Sequence, residues 1–516
     1  MNTEKSFIKT EITAVENEIS GDYILPDSFS DVKNILSARG RLKEIKKYFG
    51  ANDAEISGCI VYNIMFTAVD SEGREEICSV SFSDDIKYNC RYKSAQNVGV
   101  GALVRLRDVS CRMANPRKFS VKAMLETVMF EDIDTSAYPD ITQSSTKECV
   151  MQYKWGEIDV LRCKSASLCE HSFSDNIELD LKSPEIEKII HSDVAINVRD
   201  ARGNDINQSI MKLSGTLCVN LIYLDTEGIN RSVSKEVGFG ISVNEDESAM
   251  IGEINSETLV IPTVYISELN VNVGKNGYGE AKVIEFDADY DIELMLISNS
   301  KEECVIDAYS TEYDTECKFE ALSYLKPVCR LRNNFTFSDT RDRGEYGIDN
   351  AVIFNTSLPT LSDISASKNA QNVTIGGKLV SRIALADEEN KLKPKEISKG
   401  FSYKSNANIS EDEIALIGSA TVDNNRVRAD SERVYSDAEI FLDYLLATKE
   451  SIRVCKGVSL SEKPCVKNSD VVFCIYYPSE SETLWDIAKA KKCTVNSLRH
   501  LNPGAEISLS ESLIIE

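Results

Sequence analysis

The stretch GCIVYNIMFTAVDSEG, residues 58–73, decides the fold because its pattern occurs three times along the 516-residue chain. Apolar residues occupy alternate positions after the glycine, namely Ile60, Tyr62, Ile64 and Phe66. A period of two is typical of a β-strand with one buried face. The stretch ends in a turn, Asp70–Gly73, where glycine tolerates positive φ, and the chain then returns to Phe82. We therefore predict a β-hairpin.

Two later stretches repeat this pattern, GTLCVNLIYLDTEG at 215–228 and GKLVSRIALADEEN at 377–390. In every copy a phenylalanine follows the glycine by 24 residues, in the pairs Gly58 and Phe82, Gly215 and Phe239, and Gly377 and Phe401. The alternating positions of the later copies are Leu217, Val219, Leu221 and Tyr223, then Leu379, Ser381, Ile383 and Leu385. Pro394 interrupts the third returning strand, which predicts a sheet edge or a bulge because proline lacks the N–H that the ladder needs.

Further strand-like segments recur at 119–130, 285–296 and 434–446. Many strands at close spacing, with few long helical patterns, indicate β-sandwich-like modules. The predicted fold is mainly β, with three tandem modules at 22–134, 178–297 and 330–447, followed by a small α+β domain at 471–516. The ranges 1–21, 135–177, 298–329 and 448–470 are expected to be an N-terminal segment, two strand-rich connections and a linker.

The C-terminal stretch predicts the order strand, helix, helix, strand. Residues 472–477 are apolar and β-prone, and Leu513–Ile515 supplies the closing strand. Thr483 and Thr494 stand where the two helices need N-caps, and Pro503 before a glycine would end the second helix. The predicted core residues of this domain are Ile475, Leu484 and Ile487.

Composition narrows the function classes. The net charge of −25 and the pI near 4.8 argue against binding to nucleic acid or to an anionic membrane. The first residues are polar and no apolar run is long enough to span a bilayer, so we expect a cytosolic protein without direct membrane insertion. The 15 cysteines include no Cys-x-x-Cys pair, so reduced thiols are expected.

Catalytic and metal signatures are sparse. Histidine occurs only at positions 171, 191 and 500, and neither a nucleophile elbow nor a phosphate-binding loop is present. One row of carboxylates alternates along a predicted strand: Glu285, Asp287, Asp289, Asp291 and Glu293. Calcium needs six or more oxygens that converge from several directions, whereas these lie about 7 Å apart on one strand face. We predict a solvated strand face, no metal, no cofactor and no enzymatic activity.

The repeats resemble the SPOCS domain, a β-rich module of sporulating Firmicutes. The resemblance is carried by the Pro-Asp-x-x-x-Asp-Val-x-x-Ile-Leu pattern at 26–36, by the hairpin and by Asn115–Lys118. The C-terminal stretch resembles a LysM domain through Thr483–Ala488 and Asn502-Pro503. Tandem SPOCS domains before a LysM domain are similar to the SipL family of clostridial spore-coat morphogenetic proteins. This resemblance implies a mother-cell scaffold at the forespore surface, whose LysM domain docks on the coat-basement ATPase, stage IV sporulation protein A.

The LysM resemblance also implies a binding groove between two loops, with partner-binding residues Ser481, Glu482, Thr483, Trp485, Asn502 and Pro503. LysM domains usually bind N-acetylglucosamine polymers there. In this chain Ser481-Glu482-Thr483 replaces the usual Gly-Asp-Thr, which removes a close backbone approach to sugar, and both loops carry glutamates that suit anionic peptidoglycan poorly.

We therefore expect docking on a protein, with other coat proteins as further partners. The alternative is a peptidoglycan- or N-acetylglucosamine-binding protein of the wall or cortex. Trp485 is expected either to be a partly exposed binding anchor or to pack on the first strand of its own domain.

Overall fold

A computed structural model describes residues 6–69, 73, 75–91, 98–136, 140–142, 149–202, 212–243, 258–346, 353–369, 372–386, 392–405, 414–430, 432–465, 473–479, 481–503 and 512–515. Within these ranges the protein is mainly β, as predicted, and its two α-helices both lie near the C-terminus.

The first repeat consists of two antiparallel three-stranded sheets. Its strands are β1 (Ser6–Ile24), β2 (Val32–Phe49), β3 (Asp53–Val69), β4 (Glu75–Arg91), β5 (Val98–Asn115) and β6 (Lys118–Ser136). The last strand, β6, lies between β1 and β5, whereas β3 lies between β2 and β4. A short strand, β7 (Asp140–Thr142), follows.

The second repeat has the same topology. Its strands are β8 (Met151–Glu178), β9 (Ile186–Arg202), β10 (Lys212–Asp225), β11 (Asn230–Ser242), β12 (Leu259–Gly274) and β13 (Val283–Ser310). Again the last strand, β13, lies between the first and the fifth, and the third, β10, lies between its two sequence neighbours.

The third repeat keeps this order with one broken strand. Its strands are β14 (Tyr313–Asp342), β15 (Ile353–Asn355), β16 (Thr360–Asn369), β17 (Asn372–Ala386), β18 (Leu392–Ser405), β19 (Ile414–Ala429) and β20 (Arg433–Pro464), with a 3-10 helix at Arg343–Tyr346. The short β15 and β16 both pair with one side of β17, where a single strand lies in the other repeats. Pro394 lies on β18, which pairs in the described residues with β17 alone, as an edge strand should.

Each repeat packs its two sheets face to face around an apolar core. The alternating positions predicted from the sequence are buried in all three hairpins, Ser381 of the third copy included. The hairpins also share one connection length, since Val69 pairs with Glu75, Leu224 with Asn230 and Ala386 with Leu392. The turn glycines Gly73 and Gly228 have φ of 81° and 77°, as predicted, while the third turn lies outside the described residues.

The glycine-to-phenylalanine spacing matches the strand register in two copies only. Gly215 pairs with Phe239 and Gly377 pairs with Phe401, whereas Gly58 pairs with Ile86. Gly58 thus lies two residues farther from its turn than the other two glycines. An even offset leaves every side chain on the same sheet face, so the buried positions still correspond.

One backbone hydrogen bond recurs in all three repeats. It joins the turn before the last strand to the connection between the first two strands. The backbone N–H groups of Leu25, Leu179 and Arg343 donate to the carbonyls of Arg117, Lys282 and Glu432 at 2.9, 2.9 and 2.8 Å. In the first repeat the Arg117 guanidinium also donates to the Phe29 carbonyl at 2.6 Å. In the first repeat these contacts join the ranges 26–36 and 115–118.

Strand pairing extends the repeats beyond the predicted bounds. β1, β8 and β14 begin in ranges expected to be a terminal segment or connections, while β13 and β20 run past residues 297 and 447. The outer halves of β8 and β13 form one ribbon, and those of β14 and β20 form another. The ribbons pack on each other through Ile158, Val160, Cys304, Leu322, Tyr324 and Val454. We call residues 151–162, 298–329 and 448–464 the stalk.

The three sandwiches surround a common centre and form a ring. One junction cluster joins Leu103 and Phe130 of the first repeat to Ile261 and Met295 of the second and to Leu445 of the third. A second junction cluster is composed in the same way, of Leu36, Met65, Ile77, Ile190, Ile222, Ala384 and Leu392. Each repeat therefore contacts both others, and the body is a closed arrangement.

The C-terminal domain has the predicted order. It consists of β21 (Cys474–Tyr476), α1 (Leu484–Lys491), α2 (Val495–Leu501) and β22 (Leu513–Ile515), with the two strands antiparallel. Its buried core contains Ile487, Ala488, Cys493, Leu498, Leu513 and Ile515.

Candidate docking surface of the C-terminal domain

Local hydrogen bonds fix both helices of the C-terminal domain. The Asp486 N–H donates to Thr483 Oγ1 at 3.3 Å, and the Asp486 carboxylate accepts the Thr483 N–H at 2.9 Å. This reciprocal pair is a capping box, which satisfies N–H groups that the first helical turn leaves without partners. Thr494 caps α2 by accepting the Ser497 N–H at 3.0 Å. Both N-cap predictions are confirmed.

One face of the domain packs on the tip of the stalk at Asp307. The Trp485 Nε1–H donates to Asp307 Oδ2 at 2.7 Å, and Lys489 Nζ lies 2.6 and 2.8 Å from the two carboxylate oxygens. Burial alone would raise the pKa of Asp307, but the bonds from Lys489 and Trp485 outweigh burial and lower it. The Asp307 carboxylate is therefore ionised in the bonds that hold the C-terminal domain.

Apolar and polar contacts surround this carboxylate. Tyr309 of the stalk is fully buried within the core of the C-terminal domain, and its hydroxyl donates to the Cys493 carbonyl at 2.6 Å. Its ring meets the Trp485 indole edge-on, with 4.9 Å between centroids. Lys492 donates to the Tyr313 carbonyl at 2.9 Å and pairs with Asp314 at 3.1 Å. We call this whole interface the stalk contact.

Most of the predicted groove residues have contacts inside the protein. Trp485 lies in the stalk contact, so its main neighbours belong to the stalk and not to its own first strand. The Glu482 carboxylate accepts the Tyr476 hydroxyl at 2.8 Å, and Thr483 is an N-cap. The Asn502 side chain bonds both backbone groups of Ile514, at 2.8 and 2.7 Å. Ser481 and Pro503 are exposed. A docking role for the six residues stays a prediction.

The side of the two-stranded sheet that the helices leave uncovered is apolar and open to solvent. Phe473, Ile475 and Tyr477 alternate along β21 and its ends, with 57, 63 and 77% of their surface exposed, and Ile514 of β22 is 43% exposed. Ile475 and Ile514 are directly paired across the two strands. We call these four residues the outer sheet face.

The prediction that Ile475 belongs to the core is wrong. The helices cover only one side of a two-stranded sheet, and Tyr476, Leu513 and Ile515 already fill that side. Ile487 is fully buried, as predicted, and Leu484 is half-buried. The sequence does carry a signal for the outer sheet face, because residues 472–477 are apolar at both odd and even positions. A sheet covered on one side can bury only one of the two sets.

A half-open cavity of about 1000 Å³ lies between the repeats, and polar and apolar residues of all three line it. Its wall includes Arg105 and Glu126 from the first repeat, Asn197 and Cys218 from the second, and Asp423 and Tyr444 from the third. Charges on the wall are paired, since Arg107 lies 3.3 Å from Glu126 and Arg39 lies 3.2 Å from Asp193. These pairs leave no dominant sign of charge to select a ligand.

Within that cavity the ligand atoms of Cys218, Glu236 and Asp423 lie within 4.8 Å of one another, a spacing that a metal ion could bridge. Asp423 already forms an ion pair with Arg199 and accepts the Asn197 amide at 2.6 Å. A guanidinium next to the carboxylate opposes a further cation. The three side chains therefore fit an ion-pair network between the second and third repeats.

The carboxylate row on β13 is not one solvated face. Glu285, Asp287 and Asp289 are exposed as predicted. Asp291 accepts the Glu170 N–H at 2.9 Å beside a bulge, and the register shifts there between Tyr290 and Ile292. Glu293 is buried, pairs with Lys47 of the first repeat and lies 2.9 Å from the Tyr265 hydroxyl. The last two carboxylates thus serve the fold, and the predicted lack of calcium binding stays a prediction.

Comparison of the chain with protein-family models, curated proteins and solved structures found no match in any of the three. In the described part of the chain neither α-helix has the length and apolar character needed to cross a lipid bilayer.

Proposed function

We propose that this protein is a non-enzymatic scaffold of endospore coat assembly that acts in the mother-cell cytoplasm at the forespore surface. In this proposal the ring of repeats is the structural body, and the LysM-like C-terminal domain docks on the coat-basement ATPase, stage IV sporulation protein A. The proposal takes its biological setting from the resemblance of the repeats to SPOCS domains and of the C-terminal stretch to LysM.

One observation carries the docking role, namely the outer sheet face. Solvated apolar side chains are common singly, but a contiguous patch is typical of a protein-binding surface. Aromatic residues are enriched at such surfaces, and Phe473 and Tyr477 are two of the four members. A glycan groove is supported less well, because Glu482, Thr483 and Asn502 of the two loops are occupied by contacts within the domain.

The test is a binding measurement between the purified full-length chain and the ATPase. The double variant Ile475→Ser, Tyr477→Ser should bind at least tenfold more weakly, because it removes the centre of the patch. Tyr278→Ser is the matched control, since Tyr278 is 79% exposed but lies in a turn of the second repeat. In sporulating cells the double variant should be diffuse and the control should stay at the forespore.

Two results would refute the proposal. One is unchanged ATPase binding by the double variant, with thermal melts equal to those of the wild type. The other is absence of ATPase binding by the wild-type chain together with tight binding to peptidoglycan or chitin oligomers, which would favour the glycan alternative.

A further inference from the structure

We infer that the outer sheet face takes a short, extended segment of the partner protein, apolar at alternate positions and flanked by lysine or arginine. This inference rests on the proposed docking function and specifies the chemistry of the segment that docks. Four observations lead to it: the residues already used by the stalk contact, the size of the patch, the free edge of β21 and the acidic character of the chain.

The stalk contact uses α1, Lys492 and the core on the helix-covered side of the sheet. Trp485, Lys489 and Lys492 are bonded to the stalk, and Tyr309 of the stalk is part of the domain's core. A partner that leaves the stalk contact intact cannot use these side chains. Among the described residues of the domain, the outer sheet face is the exposed apolar patch that remains.

The size of the patch favours a segment over a second folded copy. Four side chains of ~200 Å² each, at the observed exposures, present roughly 400–500 Å² of surface. A stable association of two globular surfaces buries ~800 Å² on each partner. The patch is about half that, which suits a short peptide segment.

The strand edges favour an extended conformation for that segment. In the described residues β21 and β22 pair with each other alone. On the outer edge of β22 the Asn502 side chain already bonds both backbone groups of Ile514, so β21 has the edge that an added strand could use. An extended segment can add to such an edge through main-chain hydrogen bonds. Its alternate side chains would then continue the apolar surface of Phe473, Ile475 and Tyr477, because side chains alternate between the faces of a sheet.

The acidic character of the chain, and of the sequence on either side of β22, favours basic flanks. Glu511 and Glu516 lie immediately before and after the Ser512–Ile515 stretch in the sequence, and Glu482 is bonded to the Tyr476 hydroxyl of β21. The chain as a whole has a net charge of −25. Lysine or arginine at the ends of the segment would complement these carboxylates and exclude acidic competitors.

The test uses the full-length chain and three synthetic peptides of nine residues, followed by fluorescence anisotropy. The first alternates valine and threonine between two lysines at each end, the second has glutamates at the ends, and the third has a central proline. The first peptide should bind, at least tenfold more tightly than the other two. Its affinity should fall at least tenfold in the variant Ile475→Ser, Ile514→Ser and stay unchanged in Tyr278→Ser.

The outcomes separate this inference from the proposed function. The inference is overturned, and the proposed function stands, if the ATPase binds the chain but the first peptide does not. The same conclusion follows if the first peptide binds the variant Ile475→Ser, Ile514→Ser as tightly as it binds the wild type. If the peptide binds as expected but the ATPase does not, the proposed function fails and the segment chemistry stands. The wild-type chain could instead form concentration-dependent dimers that are absent in the variant Ile475→Ser, Ile514→Ser. That result would identify a second copy as the occupant and overturn the inference.

Discussion

His191 shows how one buried side chain makes the fold sensitive to pH. It lies on β9 of the second repeat, is almost fully buried, and its Nδ1 is 3.1 Å from Ser79 Oγ of the first repeat. Burial disfavours the imidazolium and lowers the pKa of His191, an effect that Asp193 opposes and Arg39 strengthens. The folded protein therefore holds this imidazole neutral at a pH where the unfolded chain would protonate it.

The sign of the resulting pH dependence follows from proton linkage. Above the ordinary histidine pKa of ~6.5 neither the folded nor the unfolded state binds the proton, so this histidine does not change the free energy of unfolding there. Below it the unfolded state binds the proton first, and stability falls until the pH reaches the lowered pKa of the fold. We expect His191→Gln to reduce the slope of the free energy of unfolding against pH, below about pH 6.5, by up to ~1.4 kcal/mol per pH unit. Urea unfolding at stepped pH measures this slope.

His500→Gln provides the control for that experiment, because His500 is exposed on α2. The control should keep the wild-type slope. Equal slopes for His191→Gln and the wild type would show that His191 does not carry the effect.

At the scale of elements, the stalk contact positions the C-terminal domain, and Asp307 is its central group. Asp307→Asn would leave Lys489 without its counter-charge and weaken the bond to Trp485. Losing one member of a partly buried ion pair costs more than losing a surface pair, because the remaining charge stays desolvated. We expect the domain to detach in a large fraction of molecules at neutral pH.

Tryptophan fluorescence can measure this detachment, because Trp155 and Trp485 are the two tryptophans of the chain. In a Trp155→Phe background, Asp307→Asn should shift the emission of Trp485 to longer wavelength as the indole enters water. Asp314→Asn is the matched control, since Asp314 pairs with Lys492 at the exposed rim of the same contact. Unchanged emission in Asp307→Asn, or an equal shift in both variants, would contradict the prediction.

The elements that the sequence predicted are those defined by residues close together in the chain. Thr483 and Thr494 cap helices through bonds to residues three positions later, and the hairpin strands follow a period of two. The stalk contact has no such local signal, because Trp485 reaches a partner 178 residues earlier. The stalk could not be predicted from local sequence for the same reason, since the outer half of β20 pairs with residues more than a hundred positions away.

For the whole molecule, the ring predicts a single cooperative unfolding transition. Both junction clusters contain side chains from all three repeats, so removing one repeat would expose apolar surface on the other two. Met65 is fully buried in the second junction cluster, on a face of the first repeat that points away from its own sandwich core. Met65→Ala should lower stability by about 2–5 kcal/mol and move the entire transition.

Differential scanning calorimetry tests that cooperativity. The calorimetric enthalpy should equal the van't Hoff enthalpy in both the wild type and Met65→Ala. Three independent modules would instead give separate transitions, of which the substitution would move only the one that contains Met65. Sequence repeats alone are compatible with either arrangement, because outward-facing residues such as Ile222 and Ala384 carry no local sign of what covers them.

The covalent ring also bears on the valency of the proposed docking. Three separate copies of one repeat, assembled about the same centre, would each bring their own C-terminal appendage and present three heads. Here the repeats are covalently joined, the strands β8, β13, β14 and β20 form the stalk, and that stalk holds the C-terminal domain. In the proposed function each molecule therefore docks through one head: it would occupy one binding site of the partner surface, and cross-linking that surface would require a second kind of contact.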